Sequence, residues 1–380
     1  MTIEASRVIS TILKHDPKVT SYKLALLRAI NDVVLSFPDL RNYQQPVAIP
    51  LKRLAEFWVA YYWPFVDTEL GIRQGQKSDK ADMAFRSALT EFRQAWEQIT
   101  GGIRNPANGF TVIHELRVPR KRATYPDDLL QQYTKAVSKI AATLQMPIRY
   151  AGVGEWTVFE RPKPFWEVRA LTIPVPGTTD ADRCLVIAAE LWQAFRELSL
   201  WVEALCIHEW CLFTERVDPS IRRGDVYTLL TARPDNRRPL TWESHNIDLM
   251  LMEGHRFVCP WTERTIQHGT VYDIDHLLPL SVYPINELWN LLPANPAFNR
   301  NTKRDRIPST ERLMKAHQHL VWDYQTYAAS HALNQALRDD VNLRFSRLNT
   351  VSGGNYPHAI ADAVVDLIDQ IADSRNLARF

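Results

Sequence analysis

Apolar side chains at helical spacing dominate the first hundred residues and constrain how this part of the chain can fold. Residues 20–37, 51–63 and 82–98 each carry an apolar stripe that steps by three or four residues. The first two segments end directly before a proline, which cannot continue a helix. The chain has only 13 glycines but 12 tryptophans, a balance that favours helices with large aromatic anchors over a glycine-rich sandwich. We therefore predict a helical module over these first hundred residues.

The composition changes after Gly101, where stretches rich in Val, Ile, Thr and aromatic residues are interrupted by prolines. This pattern predicts short strands within 109–119 and 155–175, on either side of a helix near 127–145. Residues 180–213 contain neither glycine nor proline and predict one long helix or two abutting helices. The expected fold class is therefore mostly α with a mixed α/β middle section.

A basic connector separates this part from the remainder of the chain. Residues 216–239 are rich in turn-forming residues and contain six Arg against three Asp, a local charge of +3 that suggests a domain boundary. Apolar spacing predicts further helices at 241–253, at about 310–348 and at 358–372.

Charge, cysteine content and hydropathy exclude several classes of protein. Lys and Arg total 45 against 43 Asp and Glu, so a net charge of +2 provides no whole-protein field for a polyanion. The four cysteines form no CxxC pair, which argues against a disulfide scaffold and a four-thiolate zinc site and is typical of a reducing compartment. No apolar run reaches about 18 residues and no signal-peptide pattern occurs, so we predict a cytoplasmic protein that spans no membrane.

The segment 271–308 carries the residues that point to chemistry. Residues 271–275 are expected to form a short strand that delivers Asp275 and His276 at its end. Oxygen donors from Asp275 and from the Asn299 amide suit Mg²⁺, which takes few protein ligands beside water and phosphate oxygens. A neutral imidazole near such an ion can accept a proton from water, so His276 is the candidate general base for attack on a phosphodiester.

The order D-x-D-H-x-x-P, W-N-L-x-P and N-x-x-x-K-R-D-x-x-P within residues 254–308 resembles the motif of HNH nucleases, the ββα-metal or His-Me finger family. The resemblance implies His276 as the general base and Asp275 and Asn299 as metal ligands. It implies that Asn290 tethers the loop and holds the base in place. It further implies a C-terminal ββα-metal (HNH) finger embedded among helices, a Mg²⁺ or Mn²⁺ cofactor, and DNA as the partner.

Two features depart from the pattern of that family. Many HNH proteins brace the finger with a zinc ion on two cysteine pairs, whereas here Cys259 stands alone and residues 295–298 read NPAF, so we expect no structural zinc. The step from Asn299 to Lys303 is one residue longer than the commoner N-x-x-K. This longer step leaves the role of Lys303 open and makes Asn301 a weaker rival ligand.

Basic side chains near the motif and in one earlier run are the predicted nucleic-acid contacts, with a solvated basic face as the alternative for the earlier run. They are Lys303, Arg304, Arg120, Lys121 and Arg122. The pair His208–Glu209 lacks a second His four residues on, so helix packing is favoured over a zinc protease site. Asp323 follows His319 by four residues, and a surface ion pair is predicted for these two.

An HNH finger is small, so the rest of the chain is expected to supply recognition, gating or assembly. We divide the chain into an N-terminal sensing or target-recognition region (1–175), a helical segment with the connector (176–240), an HNH nuclease domain (241–310) and C-terminal helices (311–380). The N-terminal stretches TSYKLALLRAI and IPLKRLAEFW faintly resemble recognition domains of modification-dependent restriction nucleases.

The function predicted from these observations is a metal-dependent DNA endonuclease in restriction or anti-phage defence. Two alternatives stay open at this point. One is a nuclease subunit or DNA-binding scaffold that acts only within a larger complex, with a partner protein or as a homo-oligomer. The other is a nuclease directed at RNA, because the motif reads the phosphodiester and not the sugar.

Overall fold

The structure is a computed structural model that describes residues 3–37, 40, 44–75, 82–101, 105–232, 240–282, 285–351 and 353–380. The chain divides into two compact units. Unit 1 comprises residues 1–117 and 121–234, and unit 2 comprises residues 118–120 and 235–380. The described residues are mostly helical with small sheets, which confirms the coarse fold class. The finer domain boundaries at 175, 240 and 310 stay predictions.

Unit 1 is a set of helices that bury their apolar faces in one core. The helices are α1 (Ile3–Ser10), α2 (Tyr22–Ser36), α3 (Leu51–Tyr62), α4 (Arg86–Ile99), α5 (Asn108–Arg117), α6 (Pro119–Arg122, shared with unit 2), α7 (Asp127–Arg149), α8 (Ala189–Glu197), α9 (Ser199–Val217) and α10 (Arg223–Thr231). The helix α3 packs against α5 and α7, and α2 packs against α9. The predicted helices at 20–37, 51–63, 82–98 and 127–145 are confirmed as α2, α3, α4 and α7.

Helix α5 occupies residues for which the sequence predicted a strand, so the prediction for 109–119 is wrong. Val112 and Leu116 are buried, and their four-residue spacing puts both on one helical face. At the start of α5, a Cβ on Gly109 would lie 2.7 Å from the Cα of Ala60 on α3. This close approach to α3 stabilises a helix in residues whose β-branched composition favours a strand.

A four-stranded sheet packs with these helices and contains β1 (Val47–Pro50), β2 (Lys163–Pro164), β3 (Ile173–Pro174) and β4 (Arg183–Ile187) in the order β2-β4-β1-β3. The short strands β2 and β3 confirm strand content within 155–175. The prediction of helix over 180–213 is wrong for Arg183–Ile187, which form β4. This strand pairs antiparallel with β1 and buries Leu185 and Ile187. The remainder of that segment is confirmed as the abutting helices α8 and α9.

The connector predicted over 216–239 is more regular than its turn-rich composition indicates. It contains α10, whose Val226 and Leu230 are buried in the core of unit 1. Three of its six arginines, at positions 233, 237 and 238, lie outside the described residues.

Unit 2 consists of two small antiparallel ladders and four longer helices around a separate core. The helices predicted at 241–253, 310–348 and 358–372 are confirmed, with a break at Ser330. In the described part of the chain, no helix is both long enough and apolar enough to cross a membrane. The elements are α11 (Thr241–Met252), β5 (Phe257–Val258), β6 (Thr265–Ile266), β7 (Asp273–His276), β8 (Leu291–Ala294), α12 (Pro296–Phe298), α13 (Thr310–Ala329), α14 (His331–Arg344) and α15 (Tyr356–Arg375).

Candidate active site

The ladder between β7 and β8 places Asp275 and His276 at the end of a strand, as the sequence predicted. Asp275 pairs with Leu292 and His276 pairs with Leu291 in antiparallel register. Both leucines are fully buried, so the backbone that carries the two polar residues is anchored in the core of unit 2. Two residues that a ligand could use therefore lie on rigid backbone.

Asp275 is 3% exposed and both of its carboxylate oxygens have partners. The indole nitrogen of Trp261 donates to Oδ2 at 2.7 Å. The ammonium of Lys303 lies 2.9 Å from Oδ1 and also donates to the His276 carbonyl oxygen at 2.7 Å. Because Lys303 is itself 1% exposed, this ion pair is almost fully withdrawn from water.

The ring of His276 is held by Asn286, whose Oδ1 lies 2.8 Å from His276 Nε2. An amide oxygen can only accept, so Nε2 carries the proton and Nδ1 carries the free lone pair. Burial lowers the pKa of His276 below its ordinary value of 6.5, and the Asn286 hydrogen bond and the charge of Asp275 oppose that shift only in part. His276 is therefore a neutral imidazole at pH 7, with Nδ1 as its proton acceptor. We call Asp275, His276 and Lys303 the β7 edge.

Asn290 ties the chain that follows His276 to the start of β8. Its side-chain oxygen accepts from the Leu278 amide at 2.8 Å, and its side-chain nitrogen donates to the Leu278 carbonyl at 3.0 Å. Its own carbonyl accepts from the Leu277 amide at 2.9 Å. These three bonds are the geometry that a tethering role requires, although that role stays a prediction.

Asn299 opens a five-residue π-helical turn that ends at Lys303. Asp273 and Asp275 are two residues apart in β7 and therefore lie on the same face of the strand. The turn brings one cation to each of these carboxylates. Arg300 pairs with Asp273 through two bonds of 2.5 and 2.8 Å, and Lys303 pairs with Asp275. The turn closes on Arg304, an exposed residue in the left-handed region at φ +54°. The structure thus brings the turn that starts at Asn299 against β7, while ligation by Asn299 stays a prediction.

A group of buried polar side chains fixes the segment 287–291 that carries Asn290. We call this group the clamp, and it consists of Glu287, Tyr324, Tyr327, Asp340 and Arg344. The two tyrosine hydroxyls donate to the carbonyls of Trp289 and Leu291 at 2.7 Å each. Asp340 accepts from the Leu288 amide at 2.7 Å. The clamp thereby uses α13 and α14 to hold the start of β8 in place.

Glu287 and Arg344 form the centre of the clamp. Both are almost fully buried, and the guanidinium of Arg344 donates to both carboxylate oxygens of Glu287, with the Nε bond measuring 3.0 Å. The indole of Trp289 donates to the same carboxylate at 2.6 Å. A buried charge pair of this kind persists because each charge is matched by fork geometry and hydrogen bonds.

The predicted nucleic-acid contacts occupy unlike environments. Arg120, which belongs to unit 2, donates to both oxygens of Asp340 at 3.0 and 3.1 Å and lies over the ring of Trp242. In unit 1, Lys121 pairs with Glu115 at 3.3 Å and Arg122 lies over an aromatic ring. Lys303 lies within the site itself, and Arg304 is exposed. Nucleic-acid contact by any of these residues stays a prediction.

Asp323 differs from its prediction as a surface residue paired with His319. It is fully buried, and its Oδ1 accepts instead from the Val258 amide at 2.9 Å. The prediction is wrong because the i,i+4 rule locates neighbours on a helix but does not say which face is covered. Burial raises the pKa of Asp323 well above the ordinary range. The carboxyl of Asp323 therefore belongs to the core of unit 2 rather than to its surface.

Cys259 lies in the turn after β5. The resemblance to HNH nucleases made it a residue to compare with the zinc-binding cysteines of that family. Its thiol is buried and accepts from the Asn295 amide at 3.2 Å. Among the described residues, no group of three or more His, Cys, Asp and Glu side chains is clustered to hold a metal ion. The expectation that the finger has no structural zinc stays a prediction.

Two residues that contact the β7 edge were not among the predicted site residues. Trp261 and Asn286 contact Asp275 and His276 directly, yet they lie 14 and 10 residues away along the chain. Trp261 directly follows Cys259 and Pro260, near the start of the segment that resembles HNH nucleases. That position was the available signal. Asn286 lies in an irregular loop, where residue spacing gives no indication of which side chain turns inward.

Two family models match separate parts of the chain, and the boundary between the two units at residues 234 and 235 lies between the two matches. A family model described as a domain of unknown function (DUF8808) matches residues 2–230. A model described as HNH endonuclease matches residues 259–309, which supports the HNH assignment and indicates a nuclease. No curated protein and no solved structure gives a significant match. The faint resemblance of the N-terminal stretches to recognition domains of restriction nucleases receives no support.

Proposed function

The chain belongs to the DUF8808 family, and we propose that it is a metal-dependent DNA endonuclease whose reaction takes place at the β7 edge. The observation that carries this proposal is the adjacent pair Asp275–His276 at a strand end inside the segment that matches HNH endonuclease. The orientation of the His276 ring by Asn286 supports it, because a general base needs a defined lone pair.

His276 acts as the general base in this proposal. Its Nδ1 accepts a proton from the water that attacks phosphorus, while Nε2–H stays on Asn286. The resulting imidazolium is stabilised by the adjacent charge of Asp275. The P–O bond to the leaving oxygen then breaks, and that oxygen takes a proton from solvent water, so the products are a phosphate monoester and an alcohol. The imidazolium returns its proton to solvent, which restores neutral His276.

The donor set fits a hard divalent ion, Mg²⁺ or Mn²⁺. Asp275 offers two carboxylate oxygens, whose partners in the structure are the Trp261 indole and the Lys303 ammonium. Asn299 offers an amide oxygen on a partly exposed side chain. Asp275 and Asn299 would hold the ion, and the bound ion would offset negative charge on the phosphate and on the leaving oxygen. Asn290 and the clamp keep the strand ends at which these ligands lie in place.

Replacement of His276 with Ala tests the proposal. The variant should lose roughly 10²- to 10⁴-fold in cleavage rate on plasmid DNA with Mg²⁺, because only the proton acceptor is removed. DNA affinity measured in the presence of Ca²⁺ and the thermal midpoint should stay close to the parent values. A His276→Ala protein with full activity would refute the mechanism. Parallel assays with RNA decide whether the substrate includes both nucleic acids.

Unit 1 is proposed to select or license the DNA that is cut. All residues of the β7 edge lie in unit 2, whereas unit 1 has its own core and covers the DUF8808 match. A role in restriction or anti-phage defence is proposed from the earlier resemblance alone. Phage plating on cells that express the parent chain or the His276→Ala variant tests that role. Equal plating on both would contradict it.

A further inference from the structure

The ammonium of Lys303 contacts the Asp275 carboxylate, which is proposed to hold the metal ion. The ammonium is 2.9 Å from Asp275 Oδ1 and 2.7 Å from the His276 carbonyl oxygen. Both side chains of the pair are buried, at 1% and 3% exposure. The ammonium therefore neutralises a carboxylate that is almost fully withdrawn from water.

We propose that Lys303 is an internal counter-ion that holds Asp275 while the finger is free of metal, and that its ammonium must leave Asp275 before a divalent cation binds there. The proposal rests on the proposed function, because it takes Asp275 as a metal ligand. It deepens that function by assigning a residue that sets the metal affinity of the site.

The first argument concerns charge. A buried carboxylate is costly without a nearby cation, and Lys303 is the cation that the structure gives to Asp275. A divalent ion on the same carboxylate would lie within a few ångströms of the ammonium, and like charges at such separations repel strongly where water is excluded. One carboxylate cannot compensate both, so ammonium and metal compete for it.

The second argument concerns the side chain that does the neutralising. A lysine is a point charge on a flexible stem, so it can leave a carboxylate by rotation about its own bonds. Lys303 is the last residue of the turn that begins at Asn299, and the exposed Arg304 follows it. Glu287 in the clamp receives instead an arginine fork on both of its oxygens, an arrangement suited to permanent pairing.

The test is calorimetric titration of the full chain with Mn²⁺ in the absence of nucleic acid. Lys303→Met should bind Mn²⁺ at least about tenfold more tightly than the parent, which corresponds to roughly 1.4 kcal/mol. Arg300→Met is the matched control. It removes one positive charge from the same turn, but Arg300 pairs with Asp273 and is mostly exposed, so its effect on affinity should be well below tenfold.

A second measurement on the unaltered chain keeps the proposal falsifiable if Lys303→Met does not fold. Amine acetylation read by mass spectrometry should leave Lys303 protected without metal and label it when Mn²⁺ is saturating. Lys315, which is 69% exposed, should be labelled equally in both conditions. Unchanged protection of Lys303 at saturating Mn²⁺, or an Mn²⁺ affinity of Lys303→Met no higher than that of the parent, overturns the proposal.

The two proposals fail in distinguishable ways. If His276→Ala abolishes cleavage while Lys303→Met and the parent bind Mn²⁺ equally, the nuclease assignment stands and the counter-ion assignment is refuted. If neither the parent nor Lys303→Met binds Mn²⁺, the assignment of Asp275 as a metal ligand is refuted for both proposals.

Discussion

The clamp and the β7 edge both bury charged side chains in unit 2, but they neutralise them differently. In the clamp, Glu287 and Asp340 each meet an arginine that contacts both carboxylate oxygens. At the β7 edge, Asp275 meets one lysine ammonium and one indole. Arginine forks fix geometry, whereas a lysine contact can be exchanged for another cation. The difference teaches that the clamp is suited to hold the backbone, whereas the β7 edge has a carboxylate whose cation can be exchanged, as the proposed reaction requires.

The largest effect should follow from breaking the clamp. Arg344→Met leaves Glu287 buried without its guanidinium, so the free energy of unfolding of unit 2 should fall by about 3–5 kcal/mol. Chemical denaturation of the full chain measures this loss. Arg300→Met is the control, because Arg300 forms an exposed pair and its removal should cost far less stability. Equal stabilities of the two variants would show that the clamp does not hold unit 2 together.

The next effect should appear when the partner of the base is removed. Asn286→Ala frees the His276 ring, and we expect cleavage to slow roughly ten- to a hundredfold, as is typical when the partner that orients a reactive ring is lost. The free energy of unfolding should change much less than in Arg344→Met. Asn286→Gln, which retains an amide oxygen, should recover part of the rate. A variant as fast as the parent would mean that the orientation of His276 does not depend on Asn286.

A smaller effect concerns the pH dependence of the β7 edge. Protonated His276 cannot accept a proton, so kcat/KM should fall as the pH decreases through its pKa. Because burial lowers that pKa, the fall should lie below pH 6.5. In Asn286→Ala the fall should move to a still lower pH. The hydrogen bond from Asn286 raises the pKa of His276 in the parent, so its removal lowers that pKa. Rates measured from about pH 5 to pH 8 test this, and a fall centred above 6.5 would contradict it.

The smallest effect distinguishes the three residues of the basic run. If Lys121 and Arg122 contact phosphate, each alanine substitution should reduce the salt slope of DNA binding by about 0.9. Arg120→Ala should instead lower stability, because Asp340 loses both of its Arg120 contacts. Binding isotherms at several salt concentrations and denaturation curves separate these outcomes. Unchanged slopes for Lys121 and Arg122 would leave them as a solvated face.

The same contact affects any truncation experiment. Removing residues 1–175 would delete Arg120 together with most of unit 1, so a loss of activity would combine the loss of the proposed recognition region with a weakened clamp. Point substitutions in unit 1 therefore test its role more cleanly than deletion does.

The sequence was most informative where local pattern and structure coincide. Helical spacing located α2, α3 and α4, because the residues of an amphipathic stripe are only a few positions apart. A proline also directly follows the segments predicted for α2 and α3. The sequence prediction was wrong for α5 and β4. There the close approach of Gly109 to α3 and the pairing of Leu185 with β1 override local preference.

For the site, the sequence by itself determined which residues are proposed to carry chemistry, because Asp275, His276, Asn290 and Asn299 stand in a local order that resembles HNH nucleases. Only the tertiary structure decided how each is held. The contacts of Trp261 with Asp275, of Asn286 with His276 and of Arg120 with Asp340 join residues separated by 10 to 220 positions. Such pairings depend on how strands and helices pack around a common core. The spacing of residues along the chain does not show which distant side chains this packing brings into contact.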